Sequence, residues 1–432
     1  MSTVQLPKLI TILLLVLFVF LASWRRTFQY RHWVSFAVGL TAILLGLVPI
    51  DRVLKYVNLD VIGLLIGMSI MTVYMEECGL AEVVARALIK KVKGIRTLFF
   101  SLTMVSGIIS IALENVTVVL MMAPIAIAIA RRIDIDPRAF VIGIALASNM
   151  AGSATMIGDP PAIITAGYFG LSFGDFILYQ GRISMFFYTL VSMFLACISL
   201  SLWVRVPKTR LRELSDEVPH VDKVFLFETL AMLSTKIVLL CLRESLGIPL
   251  TLAACVGVGG LTILRILHRD FASVREAFIK GFEWRTAMFL IGVFILSGAF
   301  AEQGLAHDLA LAIYNLSCSP FVMTSLLVWL SVFVSAFLDN VPYVATMLPV
   351  VQDLGARSGI DPVVLAWAML LGATLGGNLT YIGASANVVA VRILEREGVK
   401  VTFGDFIKLS AIFNSVSVVS GWIVFELVWN FI

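Results

Sequence analysis

The stretch SNMAGSATMIGDPPAII, residues 148–164, interrupts a long apolar run with two glycines, an aspartate and a pair of prolines. Proline has no backbone N–H to donate, and glycine, serine, threonine and asparagine are poor helix formers, so these residues cannot form one continuous helix. Apolar residues continue on both sides. The stretch therefore predicts a helix that breaks in its middle.

The composition of the chain is that of a membrane protein. Of 432 residues, 60% are hydrophobic and only 14% are charged, and the mean hydropathy is +0.99. Soluble domains carry about 25% charged residues. Many segments reach the roughly 20 apolar residues that a spanning helix needs, and they lack the alternation of a β-barrel strand. We therefore expect an all-α polytopic protein embedded in the lipid bilayer of the plasma (inner) membrane.

No motif indicates an enzyme or a resident cofactor. The five cysteines are scattered without a CxxC pair, and the four histidines fall in predicted loops or at helix ends, so no metal cluster is expected. The sequence has no GxxxxGK[ST] phosphate-binding loop and no pairing of a nucleophile with a base. We expect no catalytic residues and no cofactor other than a coupling ion, Na⁺ or H⁺.

Segments rich in lysine and arginine alternate with segments that nearly lack them. The positive-inside rule places the basic segments in the cytoplasm, so the formal charge of +4 reflects orientation and gives no reason to expect a nucleic-acid partner. With ten predicted crossings, both termini are expected on the non-cytoplasmic side. The basic clusters are Arg25–Arg31, Lys90–Arg96, Arg131–Arg138, Arg205–Lys223, Arg265–Arg285 and Arg392–Lys408.

The apolar segments predict ten crossings and two hairpins. Two stretches, 97–131 and 321–356, are broken at the middle and flanked on both ends by the same predicted side, which indicates re-entrant hairpins. Two crossings, 139–168 and 361–390, are interrupted. Lys236, near a predicted helix end, is expected to extend its ammonium to the membrane interface. The remaining crossings are predicted at 6–23, 33–50, 60–76, 176–204, 228–246, 249–267, 286–301 and 406–431.

The two halves of the chain resemble each other. LENVTVVLMMAP (113–124) aligns with LDNVPYVATMLP (338–349) at an offset of 225 residues, and the same offset pairs Gly152 with Gly377 in the broken helices. Because each half has an odd number of crossings, the second half is predicted to be inverted in the membrane. Two inverted repeats of about five spanning helices, each with a re-entrant hairpin and an interrupted helix, are typical of secondary transporters.

The repeat predicts the domain organisation. The first repeat, 1–204, comprises scaffold helices at 6–76 and transport elements at 97–168. A cytoplasmic linker follows at 205–227. The second repeat, 228–432, comprises scaffold helices at 228–301 and transport elements at 321–390.

The breaks supply candidate binding residues. Unwound backbone at membrane depth is tolerated only where it lines a cavity or binds a ligand. The half-helices on each side point their ends at the break, and N-termini favour anions whereas C-termini favour cations. The neutral polar candidates are Ser148, Asn149, Ser153 and Thr155 in the first half, and Thr374, Asn378, Thr380, Ser385 and Asn387 in the second.

Three carboxylates, Glu114, Asp159 and Asp339, fall within predicted membrane segments, and asparagines follow two of them at the hairpin tips, Asn115 and Asn340. An ionisable residue inside a membrane costs several kcal/mol unless it is paired or hydrated, so each is a functional candidate. Na⁺ coordination or proton carriage would account for them. The alternatives are structural: helix capping by Asp159 and turn capping by the two asparagines.

Four motifs, LENVTVVLMMAP, SNMAGSATMIGDPP, FLDNVPYVATMLP and LGGNLTYIGASANVV, resemble those of the ion transporter superfamily. The resemblance is strongest to the branch with arsenite permeases, sodium–proton antiporters and the melanosomal P protein, and the wider group includes citrate transporters. It covers about residues 60–176 and 283–406. It implies a scaffold subdomain that forms a homodimer and a transport subdomain, built from hairpins and broken helices, that moves against the scaffold.

The wider superfamily also includes divalent-anion/sodium symporters, and in these relatives the tips and breaks together hold sodium and the anion. On this chain, the resemblance implies Asn115 and Thr117 with Ser148–Gly152, and Asn340 with Thr374–Asn378, a range that includes Gly377. The residues implied for Na⁺ are Asn115, Ser148, Asn340 and Thr374.

Two departures from the family pattern argue against a symmetric pair of cation sites. Glu114 stands where the family commonly has aspartate, as Asp339 does here. Ala162 stands where many relatives have asparagine, so Asn387 has no amide counterpart in the first half.

Together these features predict an ion-coupled secondary transporter that moves a small anion or oxyanion-type solute, such as arsenite or a carboxylate, by alternating access. A sodium–proton antiporter and an uncoupled anion channel are the alternatives. The sequence does not indicate whether a separate ATPase subunit binds the cytoplasmic loops.

Overall fold

The computed structural model describes residues 5–23, 30–80, 83, 92, 94–204, 222–317 and 319–431. This part of the chain is almost entirely helical, and its one strand pairing joins Leu178–Tyr179 to Arg182–Ile183. The all-α prediction is confirmed. Most of the predicted linker, residues 205–221, and the basic residues at 25, 26, 90, 91 and 93 lie outside the described residues.

The first half is a series of helices with two interruptions. Its hairpin consists of α5 and α6, and its broken helix consists of α7 and α8. The helices are α1 (Gln5–Ser23), α2 (Arg31–Leu44), α3 (Val53–Tyr56), α4 (Leu59–Glu77), α5 (Ile95–Ser110), α6 (Asn115–Arg132), α7 (Arg138–Gly152), α8 (Pro160–Phe169) and α9 (Met185–Trp203).

The second half has the same order of hairpin and broken helix, formed by α16 with α17 and by α18 with α19. The helices are α10 (Lys223–Cys241), α11 (Arg243–Leu246), α12 (Leu250–Leu267), α13 (Phe271–Gly281), α14 (Trp284–Glu302), α15 (Leu305–Leu316), α16 (Pro320–Ser335), α17 (Asn340–Ser358), α18 (Pro362–Gly376), α19 (Ser385–Arg396) and α20 (Phe403–Glu426).

Six of the described helical segments are both long enough and apolar enough to cross a membrane. Five of the hairpin and broken-helix segments, α5, α6, α7, α16 and α18, are apolar but shorter. The six segments are Leu59–Glu77, Met185–Trp203, Lys223–Cys241, Leu250–Leu267, Phe271–Glu302 and Phe403–Phe431.

Several predicted boundaries were wrong. The helix expected at 33–50 ends at Leu44, and the crossing expected from 176 begins only at Met185, after the two short strands. Helix α10 begins at Lys223, inside the predicted linker. The short helices α3, α13 and α15 were not expected, because loops between apolar segments carry no strong periodic signal.

Lys236 does not reach the membrane interface. It lies five residues before the end of α10 and is fully buried. Its ammonium contacts the Met68 sulfur at 2.6 Å, and its stem lies against Gly257, where an added Cβ would come 3.1 Å from the Lys236 Cβ. The glycine therefore leaves room for the lysine stem between α10, α12 and α4.

Contacts that fix the breaks recur 225 residues apart. The Thr155 hydroxyl donates to the Ile111 carbonyl at 2.5 Å, and the Thr380 hydroxyl donates to the Ala336 carbonyl at 2.5 Å. A Cβ on Gly158 would lie 2.6 Å from the Ser110 carbonyl oxygen, and one on Gly383 would lie 2.5 Å from that of Ser335. Each break is thus held against the tip of its own hairpin, where only glycine fits.

The second segment of each broken helix packs against the other half of the chain. Helix α8 packs against α17 and α18, and α19 packs against α6 and α7. Outside this centre, α2 packs on α14 and α4 packs on α12. This exchange of segments between the halves brings the two breaks and the two hairpin tips together.

Candidate functional site

Four helices begin at a single cavity of about 620 Å³, the central cavity. Helices α6, α8, α17 and α19 start at Asn115, Pro160, Asn340 and Ser385, and all four residues line it. The first turn of a helix has backbone N–H groups without helical partners and a partial positive charge. Carboxylates already cap α8 and α17, whereas α6 and α19 have no side-chain cap, so the termini of α6 and α19 are the ones that favour a negatively charged ligand.

Charged side chains line the central cavity as well. Four cationic residues outnumber three carboxylates among the described lining residues. The cationic residues belong to three basic clusters that the sequence assigns to the same side of the membrane. They are Arg31, Lys280, Arg285 and Arg392, and the carboxylates are Glu114, Glu283 and Asp339.

Arg31 is a cavity residue that the sequence analysis missed. Its guanidinium pairs with Asp339 at 3.1 Å and donates to the Ser385 hydroxyl at 3.0 Å. The Ser385 hydroxyl also donates to Asp339 at 3.3 Å, and the guanidinium lies 5.2 Å from the centre of the Phe289 ring. The sequence placed Arg31 among the orienting charges. The available signal was its position directly before the first apolar residues of α2.

A chain of buried amides joins the two halves. Asn115 donates to the Asn149 side-chain oxygen at 3.0 Å, and Asn149 donates to that of Asn378 at 3.0 Å. Asn378 donates to the Leu146 carbonyl at 2.9 Å, and Asn387 contacts the Asn378 oxygen at 3.4 Å. Buried polar groups of this kind specify one arrangement because every change leaves a partner unsatisfied. The amides therefore fix the two broken helices against each other.

Most of the predicted hydroxyl ligands bond to nearby backbone. Ser148 donates to the Ile144 carbonyl at 2.6 Å, and Thr374 donates to that of Leu370 at 2.9 Å. Ser153 likewise donates to the Met150 carbonyl at 3.1 Å.

The residues predicted for Na⁺ have different hydrogen-bond partners. The carbonyl of Ser148 accepts from Ser110 at 2.8 Å, whereas that of Thr374 accepts from Asn149 at 3.3 Å. Asn115 and Asn340 are buried and line the central cavity. Sodium binding at these residues stays a prediction.

The remaining candidates divide between the cavity and the packing around it. Thr117 is buried on α6 and is not among the cavity-lining residues described. Gly158 lies close against Gly152, and Gly383 lies close against Gly377. The Gly377 carbonyl also accepts a hydrogen bond from Asn387 at 3.1 Å.

Asp159 caps α8 but keeps one oxygen unsatisfied. Its Oδ1 accepts from the Ala162 backbone N–H at 3.0 Å, while the buried Oδ2 has no hydrogen-bond partner among the described residues. Glu114 precedes α6 and makes no side-chain cap there. Both line a recess of about 20 Å³ that adjoins the central cavity, with Ser69 and Thr286 nearby. That volume suits one species the size of a water molecule.

The chain is similar to known transporters over most of its length. A family model described as citrate transporter matches residues 15–372. An uncharacterized transporter of Mycobacterium tuberculosis is 34% identical over 370 residues, which are 84% of this chain and 84% of that protein.

Two further similarities are more distant. The human P protein is 25% identical over 457 aligned positions, covering 86% of this chain but only 54% of the P protein. The YdaH transporter of Alcanivorax borkumensis, whose solved structure is described as having an unusual topology, superposes with a TM-score of 0.60 over 98% of this chain and 97% of that one. At 15% identity, this last likeness concerns the fold alone.

Proposed function

The chain belongs to the citrate transporter family, and we propose that it is an ion-coupled carrier that moves a small carboxylate anion through the central cavity by alternating access. The observation that carries the proposal is the convergence of four helix N-termini and four cationic side chains on one cavity. Both features favour an anion by the same electrostatic reason.

The charge of the cavity favours a carboxylate over arsenite. Arsenous acid is uncharged near neutral pH and gains little from helix dipoles or guanidinium groups. A carboxylate gains from both, and the planar guanidinium of Arg31 or Arg285 can hold it through paired hydrogen bonds. A carboxylate substrate therefore uses the features that distinguish this cavity.

The coupling ion is assigned to the recess beside the cavity. Asp159 presents a buried oxygen that has no partner in the part of the chain the structure describes, and Glu114 lines the same small space. A Na⁺ or a proton there would supply the missing partner and offset the negative charge. The same observation favours a second candidate, a sodium–proton antiporter in which these carboxylates exchange the two cations.

Alternating access requires a fixed and a moving part. We assign the fixed scaffold to α2, α4, α12 and α14, which pack together in two matching pairs, and the moving part to the hairpins and broken helices. Because Arg31, Lys280 and Arg392 belong to clusters predicted in the cytoplasm, we infer that the cavity faces the cytoplasm in this state. A homodimer through the scaffold is part of the same proposal.

Purified protein in liposomes tests these assignments. With radiolabelled citrate or succinate outside and an inward Na⁺ or H⁺ gradient, we expect saturable uptake to a level above equilibrium, and no comparable uptake of arsenite. Uptake that only equilibrates the anion would indicate a channel. Sodium-driven proton movement, seen with a trapped pH dye and no anion present, would establish the antiporter instead.

A further inference from the structure

An ion pair crosses from the scaffold to the moving elements at the central cavity. Arg31 is the first residue of the scaffold helix α2, whereas Asp339 precedes α17 and Ser385 begins α19. The three side chains form a closed triangle with distances of 3.0 to 3.3 Å. The Arg31 and Asp339 side chains are still 29% and 17% exposed to the cavity, so a ligand in the cavity can reach both.

We propose that Arg31 binds the carboxylate group of the substrate, and that Asp339 occupies the same guanidinium while the cavity is empty. The inference rests on the proposed function, because it names the group that recognises the anion. Asp339 thus acts as an internal substitute for the substrate.

The geometry of Arg31 suits this exchange. Its guanidinium is planar, carries five N–H donors and matches a carboxylate through paired hydrogen bonds. The Phe289 ring beneath it, at 5.2 Å, restricts its orientation. Replacement of one carboxylate by another leaves the guanidinium paired throughout, so the exchange avoids the large cost of an isolated buried charge.

Asp339 also retains a partner after the exchange. Its Oδ1 accepts from the Val341 backbone N–H at 3.0 Å, while Oδ2 holds Arg31. The cap at the start of α17 keeps its negative charge at a favourable helix terminus when Arg31 is lost. The residue at the capping position of α19 is Ala384, which makes no side-chain cap, so the first N–H groups of the helix can bind the incoming anion beside Arg31.

The exchange has a consequence for movement. The Arg31–Asp339 pair ties α2 to α17. A substrate carboxylate that replaces Asp339 breaks this connection. Occupancy of the cavity therefore releases the moving elements from the scaffold, which couples binding to the change of access.

Binding of citrate and succinate to the purified protein, measured by isothermal titration calorimetry, tests the inference. Charge-assisted hydrogen bonds to one side chain change affinity by about 10- to 100-fold, so Arg31→Ala should weaken binding by that factor and Arg31→Lys by less. Asp339→Asn keeps a cap but removes the competing charge, and it should tighten binding several-fold.

Matched controls come from pairs that do not line the cavity. Arg52→Ala removes the 2.9 Å ion pair with Glu302, and Asp361→Asn alters the cap of α18, where Asp361 accepts from Val363 at 2.8 Å. Both should leave anion affinity within twofold of the unmodified protein. Size-exclusion profiles of all variants establish that they are folded, and Asp339→Asn provides the test if Arg31→Ala does not fold.

The outcomes separate this inference from the proposed function. If the unmodified protein binds neither anion, both fail. If it binds them and Arg31→Ala or Asp339→Asn leaves the affinity unchanged, only the role of Arg31 fails. Loss of sodium dependence in Asp339→Asn without tighter anion binding would also overturn it, because Asp339 would then serve the coupling ion.

Discussion

The two halves of the chain share a backbone plan but carry different charges at equivalent positions. In the first half, Glu114 and Asp159 line the small recess, and one oxygen of Asp159 is unsatisfied. In the second half, the counterpart of Glu114 is Asp339, which pairs with Arg31, and the counterpart of Asp159 is Ala384. We propose that the recess beside Glu114 and Asp159 takes the cation, and that the tip of the second hairpin, together with Arg31 of the first half, takes the anion.

If the proposal holds, a duplicated chain binds two ions of opposite charge in one place. The shared parts are the glycine contacts and threonine bonds that fix the breaks. The parts that differ are the side chains aimed at the centre. The turns at the two breaks should therefore respond alike to mutation, whereas the side chains aimed at the centre should respond differently in the two halves.

The largest effect is expected where the halves are most alike. Gly158→Ala and Gly383→Ala each place a Cβ far inside van der Waals contact with a backbone carbonyl oxygen, at 2.6 Å from that of Ser110 and 2.5 Å from that of Ser335. Each should destabilise the protein by up to about 3 kcal/mol through overpacking. Thermal unfolding in detergent, monitored by size-exclusion chromatography, measures the loss.

Gly174→Ala is the control, since its nearest neighbour, the Ser172 hydroxyl, would lie at an ordinary 3.6 Å. A large loss of stability in only one of the two break variants would show that the turns are not equivalent.

The next effect concerns the amide that joins the halves. Asn149→Leu removes bonds to Asn115, Asn378 and the Thr374 carbonyl, and it leaves buried groups unpaired at a cost of about 2 to 3 kcal/mol. The counterpart of Asn149 is Thr374, whose hydroxyl bonds only within its own helix. Thr374→Val should therefore cost less than about 1 kcal/mol. Equal unfolding midpoints for the two variants would contradict the asymmetry.

The sequence predicted these central elements better than their surroundings. The glycines, prolines and polar residues of the breaks are local signals, since each weakens a helix where it stands, and the offset of 225 residues links Gly152 to Gly377. The all-helical fold follows from the apolar segments. Inversion of the second half and a re-entrant path for the hairpins stay predictions.

Other features depend on contacts that no local pattern reveals. Arg31 meets Asp339 across 308 residues of sequence, so its position beside other arginines suggested only an orienting charge. Lys236 was wrongly expected at the interface, because its burial depends on the space beside Gly257 in another helix. The packing of α8 on α17 likewise follows from the exchange of segments between halves.

A third prediction tests the charge of the first half. Asp159→Asn keeps an N-cap for α8 but removes the negative charge from the recess. Dependence of transport on the driving ion should fall by about tenfold, within the usual range of coupling between two ligands. Uptake of citrate or succinate is measured in liposomes across a series of Na⁺ and H⁺ gradients. An unchanged profile would leave Asp159 with its capping role alone, and Asp361→Asn controls for the loss of a charged cap elsewhere.

The smallest effect is expected from making the second half more like the first. Ala384→Ser adds a cap to α19, where the present residue makes none, and should stabilise the protein by about 0.5 to 1 kcal/mol. The same hydroxyl would compete with an anion for the first N–H groups of the helix, so citrate affinity should fall by about twofold. Unfolding midpoints and calorimetric titration measure the two effects on one sample. Stabilisation without any loss of affinity would show that the anion does not use this helix terminus, and the proposed anion site would then depend on Arg31 alone.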